Sequence, residues 1–321
     1  MASKWRHLIW AVPLGFVLLI LALAWQQDRD FWRSAPALMR LAQDAARRGD
    51  YPEALELARK AMAREPQNSQ YCLALGRIHL AAGQPQPALD LSRRLDPQDA
   101  KSSQGLQLQA RALDLLGDRQ AAMELLAGGL QDNPDDPEIL ALAATLAAQG
   151  SYDRPQAITY YQQLYRLTRD PLVRRQLLEL LISLNRFPEA IPLQEEEAAQ
   201  FPHNSEALHQ LALLHYWQRD YQAAGGIYQR LLEKAADDAA LRLEAARTAE
   251  AGQQLDQALA HYLWLYSRSR GEKEYALALA RLWARKGNHA EAAGVLAPLM
   301  QANPDGELRR QYGLELLLVG D

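Results

Sequence analysis

The residues able to carry chemistry are few: seven histidines (His7, His79, His203, His209, His215, His261, His289), one cysteine (Cys72) and the pair Gly225-Gly226. A metal site needs ligands at short, face-matched spacings such as H-E-x-x-H, and no histidine here meets another histidine, a cysteine or a carboxylate in that way. His209 and His215 stand six apart, on nearly opposite shoulders of a helix. The glycine pair has neither the preceding strand nor the Lys-Ser/Thr ending of a phosphate loop. No pair of carboxylates is set up for glycan hydrolysis. The sequence therefore predicts no catalytic residue, no metal ligand and no cofactor, and a non-enzymatic protein.

Composition says what must position the remaining side chains. Ala and Leu dominate, Val, Ile, Thr and Phe are scarce, and 49% of the 321 residues are hydrophobic against 23% charged. That mixture builds a core and favours helix over strand, so the expected class is all-α. A formal charge of −4, which stays acidic without residues 1–30, points away from nucleic acid as a partner. A single cysteine allows no internal disulfide.

Residues 1–7 carry Lys4 and Arg6 and read as a basic cytoplasmic end, and Leu8 to Trp25 is an uncharged apolar run of 18 residues. At about 1.5 Å per residue it just spans a hydrocarbon core of about 30 Å. Trp5, Trp10 and Trp25 fall near its ends, and Asp28 and Asp30 follow it, which orients the N-terminus toward the cytoplasm. The run 8–25 is expected to be a transmembrane helix; Ala22-Leu23-Ala24 keeps a cleaved signal peptide as the second reading. Both readings export the chain after a linker at 26–34.

Self-similarity decides the rest. Ala54, Ala88, Ala122, Ala157, Ala190, Ala224, Ala258 and Ala292 recur at intervals of 34, 34, 35, 33, 34, 34 and 34. A turn series keeps step: Gly49, Gly83, Gly117, Gly150, Asn185, Arg219, Gln253, Gly287 and Gly320. Small residues at Ala42, Gly76, Ala110, Ala212, Ala246 and Ala280 mark where two helices approach closely. Pro66, Pro134, Pro202 and Pro304 close second helices, because proline cannot continue one. Cys72 falls at a core position of the second unit. Irregularities at Leu95-Asp96-Pro97 and Gly150–Pro155 read as local changes of pitch within one array.

The pattern resembles the tetratricopeptide repeat, a helix-turn-helix of 34 residues, most clearly in 35–68 and 205–238. The resemblance implies a right-handed superhelical solenoid over 35–321, with eight repeats and, in 306–321, the first helix of a ninth, so that the protein is expected to continue past Asp321. It also implies a concave groove lined by first helices, with one row at Gln43, Arg77, Arg111, Thr145, Glu179, Leu213, Arg247 and Arg281. Four arginines in that row suit planar anions, unless they pair with nearby acids such as Asp114, Glu244 and Glu274. His209 on the same inner side, and Tyr216 and Trp217, whose faces could receive a peptide side chain or a sugar, complete the groove candidates.

An exported N-terminus followed by a long repeat array is similar to the N-terminal portion of bacterial exopolysaccharide export proteins of the Pel type. That likeness implies a periplasmic scaffold that recruits a protein partner such as a polysaccharide-modifying enzyme, possible contact with the polysaccharide itself, and passage to an outer-membrane porin. The alternative is an inner-membrane-anchored scaffold for another envelope complex, in cytochrome maturation or outer-membrane protein assembly.

Overall fold

The computed structural model describes residues 33–149, 153–269, 272–302 and 306–319. The proposed span at 8–25, the turn positions Gly150 and Gly320, and Pro304 lie outside the described residues. Among the described residues no helix is long and apolar enough to cross a membrane. The described chain is helices joined by turns, and it groups into two compact units, Met1–Val173 and Arg174–Asp321.

The first unit holds α1 (Ala35–Arg47) and α2 (Tyr51–Arg64), then α3 (Ser69–Ala81) and α4 (Pro85–Ser92). A short α5 (Pro97–Ala100) precedes α6 (Ser103–Leu115), α7 (Arg119–Asp132), α8 (Pro137–Ala148) and α9 (Arg154–Thr168). The hairpins α1–α2, α3–α4 and α6–α7 each turn on one residue in the left-handed region: Gly49 (φ 83°), Gly83 (φ 70°) and Gly117 (φ 89°). A side chain is costly there, so glycine is the natural occupant. Asp50 and Asp118 follow at once, and their carboxylates accept from the amides of Glu53 and Ala121, capping α2 and α7. Two hairpins depart from the rule. α4 has only eight residues, and the Leu95-Asp96-Pro97 irregularity becomes α5, capped by Asp96. α9 ends on Arg169, left-handed at φ 51° and outside the 34-residue series.

The second unit begins within α10 (Pro171–Ser183) and continues with α11 (Phe187–Gln200), α12 (Ser205–Trp217), α13 (Tyr221–Lys234) and α14 (Ala239–Ala251). It ends with α15 (Leu255–Arg268), α16 (Lys273–Arg285), α17 (His289–Ala302) and α18 (Gly306–Val319). The turn series persists at Asn185 (φ 56°), Arg219 (φ 68°), Gln253 (φ 59°) and Gly287 (φ 78°), although three of the four carry side chains. The backbone geometry of the repeat is therefore enforced by helix packing where glycine is absent.

Packing explains the small residues. Ala54, Ala88, Ala122 and Ala157 in the first unit, and Ala190, Ala224, Ala258 and Ala292 in the second, are all fully buried. So are Ala42, Ala110, Ala212, Ala246 and Ala280. A Cβ on Gly76 would meet the Leu108 methyls at 2.6 and 2.9 Å, so the third helix and the sixth touch at that point. Leucines such as Leu38, Leu73, Leu108 and Leu126 fill the remaining space, each contributing roughly 2 kcal/mol by leaving water. Cys72 behaves as a small buried residue whose thiol donates to the Leu91 carbonyl at 3.2 Å.

Candidate functional site: a groove in the first unit

A groove of about 1070 Å³ lies among α3, α6, α8 and the end of α9. Its floor is aliphatic, with Leu108, Leu142 and Leu146 nearly buried, while Leu115 stays 57% exposed on the rim. Arg77, Arg111 and Thr145 line it from successive first helices. Gln104, Gln107, Gln149 and Thr168 supply amides and a hydroxyl, and no aromatic ring lines the groove.

The charges in this groove are unequally satisfied. Asp114 accepts from Arg119 Nε at 2.6 Å, and the same guanidinium donates to the carbonyl and side-chain oxygen of Gln149 at 3.1 and 3.2 Å. Glu138 accepts from Gln107 Nε2 at 3.0 Å, and Asp170 accepts from the Leu172 amide at 2.8 Å. Each of the three lining carboxylates thus has a donor from the chain. Arg77 and Arg111 are exposed and make no ion pair with any described carboxylate. Asp114, expected as a partner for the row, is taken by Arg119 because the Arg119 side chain reaches it from the start of the next helix. Thr145 turns its hydroxyl back onto the Ala141 carbonyl at 2.8 Å.

In the second unit the same row is neutralised internally. Arg247 Nη2 lies 3.0 Å from Glu274, and Arg281 Nη2 lies 3.8 Å from Glu250, which also accepts from the Tyr262 hydroxyl at 3.2 Å. Glu244 serves no arginine: His209 Nε2 lies 2.5 Å from it, and the His209 ring stands edge-on to Tyr228 with centroids 6.1 Å apart. Burial, and then Glu244, pushes the Tyr228 phenol upward, which keeps it a donor to that carboxylate. His209 lines a separate depression of about 280 Å³ with Glu206, Asp238 and Leu241, away from any arginine of the row.

The two aromatic candidates are engaged in packing at helix ends. Tyr216 meets Tyr221 edge-on at 5.6 Å, and Trp217 packs on Phe187 at 5.7 Å while remaining 44% exposed. Trp264 is clasped by Arg242 and Arg268 at 4.2 and 4.4 Å from its ring centre. The lining residues the row did not name, Gln104, Gln107, Leu115, Glu138 and Gln149, share the faces of Arg111 and Thr145 at helical spacings of three and four. Extending the row along each helix by that period would have found them.

A stack of antiparallel helical hairpins at constant 34-residue spacing, with a groove lined by first helices, defines a repeat scaffold. Profiles of the tetratricopeptide repeat match residues 45–112, 175–240 and 243–307, more than half of the chain in total. The chain belongs to the tetratricopeptide repeat family, whose repeats serve as protein-interaction scaffolds. None of the curated proteins compared with it matches. A chain of the Naa15/Naa10 complex bound to HypK-THB is similar with a TM-score of 0.66 at 15% identity, over 77% of this chain and 39% of that one. The C-terminal part of a TPR repeat-containing protein from Cytophaga hutchinsonii is similar with a TM-score of 0.51 at 16% identity, over 75% of this chain and 99% of that one. These likenesses concern the fold, and the chain spans well under half of the first structure. The similarity to Pel-type export proteins rests on the sequence pattern alone, since no named relative carries it.

Proposed function

We propose that the chain is a non-enzymatic scaffold of the bacterial cell envelope, held by residues 8–25 with its repeats in the periplasm. There it recruits a partner protein, such as a polysaccharide-modifying enzyme, during exopolysaccharide export toward an outer-membrane porin. The observation that carries the choice of a protein partner is the lining of the first unit's groove, where leucines alternate with glutamine amides and no ring is present. Aliphatic floors with amide edges fit an extended peptide, whose side chains bury in the apolar spots and whose backbone bonds the amides. Sugars favour aromatic faces, so direct guidance of the polymer is the weaker part of the reading. The order of basic, apolar and acidic residues before position 31 supports the envelope location.

Deleting the gene in its native host tests the reading. Loss of polymer secretion with normal cytochromes and normal outer-membrane proteins is the expected result. Normal secretion with a defect in either of those assemblies would move the scaffold to that other complex.

A further inference from the structure

Resting on the export reading, we infer that the polymer meets the chain in the second unit, at an aromatic ledge made by Trp217 and Phe187, and that this ledge takes an uncharged pyranose unit. The inference starts from a side chain that the repeat does not require. Counted by the 34-residue period, the place of Trp217 is held in other repeats by Ala81, Gln149, Ser183 and Ala251, all of them exposed. The position asks for no large apolar group. Trp217 nevertheless puts an indole there, and it stays 44% open to solvent. Indoles placed in this way characterise binding surfaces, where one part of the ring packs and the rest waits for a ligand.

The surroundings of the indole narrow the ligand. The ring of Phe187, the first residue of α11, stands 5.7 Å from it at 36°, so one hairpin turn braces the next. A braced ring needs little further ordering when a ligand arrives. Beside Phe187, Arg186 bonds Glu189 at 2.5 Å. After Trp217 come the exposed Gln218, Arg219 and Asp220; Asp220 accepts from the Ala223 amide at 3.1 Å, and His215 Nδ1 lies 3.5 Å from its second oxygen. The two turns thus carry two guanidinium groups and two carboxylates, whose charges cancel. A charged ligand gains nothing net from such a rim. A neutral polyhydroxyl ring suits it, because each hydroxyl both donates and accepts while the C–H face of the sugar lies on the indole. Neither groove described above includes Trp217 or Phe187, so a sugar held here leaves the first unit's groove open to a protein.

The test is an NMR titration of the full chain, isotopically labelled at its indole nitrogens, with the Trp217 signal assigned by its loss in Trp217→Tyr. Three probes are used: chitohexaose, which is neutral, its fully deacetylated cationic form, and hexaguluronate, which is anionic. The Trp217 signal should move with chitohexaose, with a Kd of about 1 mM that does not depend on salt. Calorimetry should show that Kd rising about tenfold with Trp217→Ala, a factor corresponding to about 1.4 kcal/mol, and staying within about twofold with Arg77→Gln and Arg111→Gln. Trp217→Tyr keeps a ring and should keep most of the affinity, which separates loss of the ledge from loss of the fold. A Trp217 signal that chitohexaose does not move, tighter binding of either charged oligomer, or binding that survives Trp217→Ala overturns the inference. The export reading is judged apart from it, by secretion in the deletion strain: a gene required for secretion keeps that reading even when no sugar binds, and normal secretion sinks it even when the ledge holds chitohexaose.

Discussion

Nδ1 of His289, the first residue of α17, lies 2.8 Å from Oε2 of Glu315 on α18. The Glu315 side chain is only 6% exposed, and His289 is its ion-pair partner. A carboxylate so deep in the hairpin is costly to leave unmatched, by about 1–3 kcal/mol. His289→Ala should therefore loosen α18 on α17 without melting the earlier repeats of the unit. Amide exchange of residues 308–319 should accelerate at least fivefold, while α12 to α15 keep their protection. Equal protection in parent and variant would show the pair to be dispensable.

The turns of the second unit invite stabilisation. Arg219 and Gln253 hold φ of 68° and 59°, a conformation that opposes any Cβ. Replacing either by glycine should raise stability by about 0.5–1 kcal/mol, seen as a higher urea midpoint at unchanged slope. The reciprocal change, Gly117→Ala in the first unit, should lower it by a similar amount. A neutral result at all three positions would mean that the turns are not strained.

Two glycines should differ in what alanine costs. At Gly105 a Cβ would run into the backbone carbonyls of Asp99 and Ala100, which cannot move without displacing α5. At Gly76 it would press on the ends of a leucine side chain, which can rotate. Gly105→Ala is expected to cost about 3 kcal/mol and Gly76→Ala about 1 kcal/mol, read from thermal melts. The reverse order would place the tighter contact between α3 and α6.

His79 is 4% exposed and its Nδ1 lies 2.8 Å from Gln84 Oε1; burial pushes its pKa below the ordinary imidazole value. The unfolded chain then binds the proton more readily than the folded one. Its contribution is present above the unfolded pKa of about 6.5 and is lost as pH falls through that value toward the folded one. His261 in the second unit follows the same sign, from burial first and then Arg242. The urea midpoint should fall between pH 7.5 and pH 5, and His79→Asn with His261→Asn should flatten that fall. An identical slope in the double variant would refute the assignment.

The repeat register was legible because it depends on sterics alone. A left-handed turn wants glycine, and a close helix approach wants alanine. Residues 49, 83 and 117, together with 185, 219, 253 and 287, could thus be placed by spacing even where Asn, Arg or Gln stands in for glycine. Arg77, Arg111 and Thr145 reached the groove by the same periodic argument. What spacing cannot give is the choice of partner. Asp114 stands nearer in sequence to Arg111 than to Arg119, and only the folded hairpin shows that Arg119 takes it. The buried Glu315 escaped for the same reason: on a leucine-rich helix it reads as a solvated charge until His289 is seen beside it. Arg169 has no place in the 34-residue series, so nothing in the period announced its left-handed backbone.

The absence of rings from the first unit's groove has an optical consequence. Among the described residues the tryptophans are Trp217, Trp264 and Trp283, all in the second unit. Their emission reports on the second unit, while Trp5, Trp10, Trp25 and Trp32 precede the described residues and add an emission of their own. A tryptophan placed at position 115 would give the groove a fluorophore of its own.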